Sequence, residues 1–403
     1  MTSTGPEMAQ TSGLPRSFVI MSGYHDYRSK RKADLHFIAD ELKRLGHVSF
    51  LSLRFSYLTR YREDPRHDLW DRANRHESVD GVGCYLWRTP IHPIRLPKPL
   101  RLVEKIVFVI FSKHLPKAMR ETIAAADVVL IESGISLIYI PLIKQLNPKV
   151  RIIYMASDSL DAIGQAAAIK DALIANAASI DYARIPSPLL APEIPRAVPC
   201  SYIPHGIDKA RFDRIGPAPF APGSLNAVSV GSMLFDASFF ETAGRLFPNI
   251  TFHVIGSGYV GAGPGNVRYY PEMPFEDTLP FLKHSSFAIA PYSPGVDAYL
   301  THTSMKLMQY DYLGIPAVCP QTVAGYGSGR FGYNPEQPQT IKTAIENALA
   351  SQTFDPQPHL DWRQVTELII GGNRAEMFGD QEFAASRRSS VGGGHVRLED
   401  HRD

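Results

Sequence analysis

Three cysteines in 403 residues, Cys84, Cys200 and Cys319, are too few and too far apart for a disulfide framework or a zinc site. Their apolar surroundings suit buried thiols in a reducing compartment. Charge of one sign is missing too. The 42 Lys and Arg against 40 Asp and Glu leave a formal +2, so the chain as a whole does not read as a nucleic-acid binder. No apolar run is long enough to cross a bilayer, and residues 1 to 16, with Gly5, Pro6, Gly13 and Pro15, contain no secretion-signal core. The expectation is a cytoplasmic protein with flexible tails at 1–16 and 372–403, the second ending in the aperiodic SRRSSVGGGHVRLEDHRD. A Walker loop and a full G-x-G-x-x-G are likewise absent.

What is present is alternation. SFVIMS (17–22), VSFLSL (48–53), GVGCYLWRT (81–89), DVVLIES (127–133) and VRIIYMAS (150–157) are apolar strands separated by helical patterns, among them Leu35, Ile38, Leu42 and Leu45, and an alanine-rich helix over 161–179. After the Pro/Gly-rich IGPAPFAPGS the pattern restarts with NAVSVGS (226–232), TFHVIGSG (251–258), SFAIAPY (286–292) and IPAVCP (315–320). Such alternation predicts α/β architecture with parallel sheets covered on both faces, in two domains at 17–214 and 215–371.

In sheets of this kind ligands bind beyond the carboxyl ends of the strands. Gly231, Gly256 and Gly258 follow two strands of the second half and would let backbone approach a diphosphate, although a tight turn explains each glycine equally well. Ser304 can cap a helix whose Met305, Met308 and Tyr312 fall on one face and which stops at Gly314 and Pro316. Lys306 and Gln309 share another face. In the first turn Lys306 opposes the helix dipole, so an anion is its natural partner; an exposed surface lysine is the alternative.

The segments HDYRSKRKADLHFIADEL, CYLWRT, ESGI, ASDSL, VGSMLFD, FHVIGSG, SMKLMQYDYLGIPAVCP and RFGY, in this order from about Ser22 to Tyr333, resemble the GumK-type glucuronosyltransferases of xanthan-like exopolysaccharide assembly. The resemblance implies a GT-B fold, two Rossmann-like domains facing a central cleft. It implies inverting transfer of glucuronate from UDP-glucuronate to a mannose of a polyprenyl-diphosphate-linked oligosaccharide at the cytoplasmic face of the bacterial inner membrane. Matched motif to motif, Met233, Glu272, Tyr292, Met305, Lys306 and Gln309 would contact UDP. Many retaining relatives on this fold carry an acid where Gln309 stands, which favours inversion here. No D-x-D pair is placed to hold a metal, so no metal or other cofactor is expected, with Lys306 supplying the charge.

Asp158, after the strand ending YMAS, matches the family's base; capping the next helix is its competing role. His25, beside Asp26 after the first strand, is the alternative base, imidazole being a frequent general base. The donor carboxylate needs a cation, for which Arg28 and Arg31 of RSKRK, together with Arg330, are candidates, though a charge run is often only a solvated face. Finally, HPIRLPKPLRLVEKIVFVIFSKHLPKAMR (92–120) joins basic residues to a short apolar run and reads either as a peripheral contact with an anionic membrane or as a core helix with a basic outer face. Rival readings are a GT-B transferase with another UDP-sugar or acceptor, a sugar-nucleotide epimerase, and a catalytically silent partner in polysaccharide assembly.

Overall fold

The structure, a computed structural model, describes residues 16–61, 64–90, 92–93, 95–212, 214–325, 329–351 and 358–371. Apart from Arg16, the two expected tails lie outside these residues. Apolar segments build two sheets. The first has the order β3 (His76–Val79), β4 (Val82–Thr89), β2 (His47–Ser56), β1 (Ser17–Ser22), β5 (Val128–Glu132), β6 (Arg151–Met155), β7 (Tyr182–Ile185) and β8 (Cys200–Tyr202). β1, β2, β4, β5 and β6 pair in parallel, whereas β3 runs antiparallel to β4. Phe18 stands opposite both Val48 and Val128, and the interior of β1 is buried, as a strand covered on both faces requires.

The second sheet has the order β11 (Val267–Tyr270), β10 (Ile250–Ile255), β9 (Leu225–Val230), β12 (Phe287–Ile289), β13 (Ala317–Pro320) and β14 (Arg330–Tyr333), and every pairing in it is parallel. Its core gathers Phe239 and Phe240 from the helix Ala237–Leu246, Phe252 and Phe287 from the strands, and Ile341, Ala344 and Ile345 from the helix Gln339–Ala350.

The expected join at 214/215 falls between the strands of the two sheets, while the compact units divide earlier, at Ala183/Arg184: the first unit also takes in Pro195–Pro199, and the second takes Arg184–Ile194 and the chain from Cys200. The reason is Arg184. Its buried guanidinium donates to the carbonyls of Ile203 (2.7 Å) and Pro204 (2.8 Å), tying 184–194 to the segment after β8. Three local expectations also change. The 161–179 helix is regular only over Ala167–Ala175. The helix Met305–Leu313 buries Leu307, Met308, Tyr310 and Asp311, leaving Met305 and Tyr312 only partly covered. Cys200 is partly exposed, while Cys84 and Cys319 are buried.

The basic run 28–32 is mostly scaffold. Asp26, wholly buried, takes the Arg28 fork bidentately at 2.8 and 2.9 Å and accepts a hydrogen bond from Ser52 Oγ at 2.7 Å, and Arg28 also reaches Glu77 at 2.7 Å. Lys30 pairs with Asp68 and Lys32 donates to the Tyr27 carbonyl. The fork of Arg28 is therefore committed, and Arg28 is withdrawn as a donor-carboxylate ligand. Burial pushes the Asp26 carboxyl up, but the Arg28 fork and the Ser52 hydroxyl outweigh it and hold it below the ordinary 3.8.

Arg28→Met leaves that carboxylate buried without its cation, and urea unfolding is expected to show a loss of about 3 to 5 kcal/mol. In the wild type the Asp26 contribution is present above 3.8 and lost as pH falls through the lower folded value. In the variant the acid loss begins at higher pH.

Candidate functional site

The second unit concentrates its sequence-marked residues at the carboxyl ends of β9 to β12. Beyond β9, Gly231 adopts φ +91 and its N–H donates to Ile255 O at 2.8 Å; a Cβ there would meet open space. Met233, 53% exposed, and Leu234, at φ +51, follow in a loop pinned to the segment after β12 by Asp236 N to Pro291 O and Ser293 N to Leu234 O, both 2.8 Å. Beyond β10, Gly256 is at φ +66, and a Cβ on it would come within 3.4 Å of Glu272 Cα, so the turns after β10 and β11 touch backbone to backbone. Glu272 is exposed on this edge, and Gly258 is at φ +73.

Ser304 caps the helix Met305–Leu313, its Oγ accepting from Leu307 N at 3.2 Å and sharing a hydrogen bond with the Tyr292 hydroxyl. Tyr292 is fully buried, and its ring lies under the Lys306 ammonium, 5.4 Å from Nζ. Lys306 as a residue is only partly covered, but its Nζ is shut off from solvent and has no hydrogen-bond partner among the described residues. Burial pushes its pKa down to about 8. A desolvated cation, in the first turn of a helix and short of acceptors, is a receptor for an oxyanion. Gln309 lies one turn further on and is partly exposed. Arg330 is committed elsewhere. Its fork closes on the Asp311 carboxylate and its Nη1 donates to the carbonyls of Thr301 (2.7 Å) and Val323 (3.3 Å), which removes it as a donor-carboxylate candidate.

The first unit presents a different edge, made by the ends of β1, β5 and β6. Glu132 ends β5 buried and accepts from Ser22 Oγ at 2.5 Å and Gly23 N at 3.1 Å; its other oxygen meets His25 Nε2 at 3.3 Å. Burial raises its carboxyl above the ordinary range, opposed by His25 and Ser22. Ser22 Oγ in turn accepts from the Tyr24 and His25 amides, at 3.2 and 2.8 Å, so the turn that carries the half-exposed imidazole is fixed. Asp158 is half-buried after β6, with its carbonyl held by Ser133 Oγ at 3.2 Å. The following turn is capped by Ser159, whose Oγ accepts from Ala162 N, and the next helix starts only at Ala167. Ser157 binds Asp34 at 2.9 Å. Arg31 is exposed. Glu132 went unnoticed in the sequence, although an acid closing the apolar strand DVVLIES is a visible signal. Among the described residues, no three His, Cys, Asp or Glu side chains group as a metal site.

The unpaired ammonium makes the ligand-free protein less stable than it need be. A base whose folded pKa is lowered penalises the fold fully below about 8, and the penalty fades as pH rises toward the unfolded 10.5. Lys306→Met without ligand is therefore expected to be more stable than wild type, on the order of 1 to 3 kcal/mol at neutral pH. The gap should close as denaturation is repeated at rising pH.

Residues 20–186 match the family model described as glucuronosyltransferase GumK, N-terminal domain. The chain is 41% identical over 368 residues, 90% of its own length and 91% of the relative's, to the UDP-glucuronate:glycolipid 2-beta-glucuronosyltransferase of Xanthomonas campestris pv. campestris. Among solved structures it is similar to the UDP-forming alpha,alpha-trehalose-phosphate synthase of Burkholderia vietnamiensis, with TM-score 0.57, 12% identity, and coverage of 93% of this chain and 100% of that one. The corresponding synthase of Burkholderia xenovorans gives TM-score 0.56 at 12% identity, covering 94% and 100%. At such identities these two likenesses speak for the fold alone, which is GT-B. With the N-terminal family match and the identity along nine-tenths of its length, the chain belongs to the GumK glucuronosyltransferase family.

Proposed function

We propose that this chain transfers glucuronate from UDP-glucuronate, with inversion and without a metal, to a mannose of a polyprenyl-diphosphate-linked oligosaccharide in exopolysaccharide synthesis. The observation that carries the reading is the solvent-shielded Lys306 ammonium without an acceptor, beside glycine turns that open the same edge to a diphosphate. UDP bound there restores the partner the ammonium lacks, and the same contact stabilises UDP as it leaves. Met233, Glu272, Met305 and Gln309 surround the nucleotide, and Tyr292 acts by supporting Lys306 from below. UDP-glucuronate as donor accords with the activity named for the Xanthomonas relative.

Asp158 serves as the base that takes the acceptor hydroxyl's proton while the anomeric carbon is attacked from the face opposite UDP. Its support is its place at the carboxyl end of β6 and the fact that Ser159 caps the next turn. One observation favours a second base: His25 is held by the buried Glu132 carboxylate in the way an oriented imidazole is. The two are separated by Asp158→Asn and His25→Asn under saturating donor and acceptor. Asp158→Asn is expected to lose turnover by a factor on the order of 10² to 10⁴ with UDP affinity near wild type, and His25→Asn much less. A fully active Asp158→Asn enzyme transfers the role to His25.

The acceptor's lipid implies a peripheral contact with the inner membrane's cytoplasmic face, and the helix Arg101–Ser112 supports one. It buries Glu104, Phe108 and Phe111 but turns Leu102 (72% exposed), Val103, Ile106, Val109 and Ile110 outward, with Arg101 and Lys105 beside them. Glu104 accepts from Leu96 N at 2.6 Å, anchoring the preceding loop and its exposed Arg95. No helix among the described residues is long and apolar enough to cross a membrane. An amphipathic helix facing outward binds by burial and by charge together. Leu102, Ile106 and Ile110→Ser should cut co-sedimentation with anionic vesicles roughly tenfold at any salt. Arg95, Arg101 and Lys105→Gln should cut it mainly at low salt. Unchanged sedimentation of both variants contradicts the contact.

A further inference from the structure

Arg28 and Arg330 are committed to ion pairs and Arg31 is exposed, so another cation, half-buried and held in place, is a further candidate to read the donor's carboxylate. In the first unit β2 lies between β4 and β1, and the β2–β4 register slips between Ser52 and Phe55. Arg54 sits in that bulge at φ +56, a conformation that a long side chain rarely adopts. The surroundings enforce it. Arg66, fully buried and closed bidentately on Asp64 at 2.8 Å for both bonds, donates to Leu53 O at 2.8 Å and approaches Arg54 O at 3.5 Å.

The bulge aims the half-buried Arg54 guanidinium over the Tyr24 ring, 5.0 Å from its centroid. That ring is itself fixed. Its hydroxyl accepts from Gln165 Nε2, and its Cε2 would lie 3.4 Å from a Cβ on Gly134. Among the described residues no carboxylate or carbonyl accepts from the Arg54 fork. Buried arginines of this unit such as Arg28 and Arg66 have a carboxylate; Arg54 has an aromatic face behind it and both fork edges left to a ligand. Tyr24 precedes His25 on the turn whose amides Ser22 holds, so Arg54 borders the edge that carries Asp158 and His25.

We propose that Arg54 is the specificity-determining residue that binds the carboxylate of the donor's glucuronate. This rests on the donor reading given above. The reacting anomeric carbon must come to the base on this edge, and the carboxylate of the same pyranose lies one ring-width from that carbon. A planar guanidinium backed by a ring suits bidentate recognition of a planar carboxylate, and a hexose bearing a neutral hydroxymethyl leaves the fork unpaired.

The test uses the full chain with a lipid-linked mannosyl acceptor and compares kcat/KM for UDP-glucuronate with that for UDP-glucose, in wild type, Arg54→Gly, Arg54→Gln and Arg54→Lys. The wild-type preference should fall roughly ten- to a hundredfold in the Gly and Gln variants, the worth of a charge-assisted hydrogen bond, and be partly kept by Lys. Arg54→Gly relieves the positive φ, so its Tm should equal or exceed that of wild type, which separates lost recognition from lost folding. A preference unchanged in folded Arg54→Gly overturns the proposal. So does an equal loss with both donors and a raised acceptor KM, which would make the anion a phosphate of the acceptor lipid. If wild type itself shows no preference for UDP-glucuronate, the donor reading falls, and the role of Arg54 falls with it.

Discussion

An ammonium kept from water needs something to accept its protons, and at Lys306 the described protein offers only the face of a tyrosine ring. Much of the second unit is arranged around that deficit. Ser304 starts the helix just ahead of the lysine while holding the Tyr292 hydroxyl beneath it, and Arg330 is neutralised by Asp311. The glycines after β9 and β10 take φ values that other residues tolerate poorly. The site thus stores an unfavourable interaction that, in the proposed reading, a diphosphate relieves, so that binding energy becomes selective for an anion.

In the proposed reading the first unit holds the proton-transfer and carboxylate-reading groups in fixed positions. It does so with carboxylates placed inside. Asp26 fixes the loop after β1 through Arg28, Glu132 fixes the turn through Ser22 and Gly23, and Asp64 fixes the β2 bulge through Arg66. At Asp26 and Asp64 the arginine partners outweigh the desolvation cost of the charge, whereas at Glu132 burial prevails over its partners and raises the carboxyl.

The parallel architecture was legible because apolar strands covered on both faces leave an unmistakable run, and the second unit's candidate residues drew notice because they follow such strands. Lys306 stood out as a cation in the first turn of a capped helix. Other features depended on contacts between distant segments. RSKRK looks like a ligand patch, yet Arg28 is taken by Asp26 and by Glu77, and no local pattern announces a partner on β3. The join near 215, conspicuous by its Pro/Gly composition, falls between the last strand of the first sheet and the first strand of the second, whereas Arg184 reaching Ile203 and Pro204 is a tertiary event that no local pattern announces. Arg54 was invisible because a bulge with φ +56 in VSFLSLRFS carries no glycine or asparagine to mark it.

The central claim, that Lys306 awaits the diphosphate of UDP, is tested most directly by titration calorimetry of UDP at pH 9 in buffers of different ionisation enthalpy. At that pH the ammonium, with its pKa near 8, is largely deprotonated in the free protein, and pairing with a diphosphate pulls its pKa back up. The account predicts that wild type takes up a substantial fraction of a proton on binding UDP and that Lys306→Met takes up none and binds more weakly. Equal affinity in the two proteins with no proton uptake in either would contradict it.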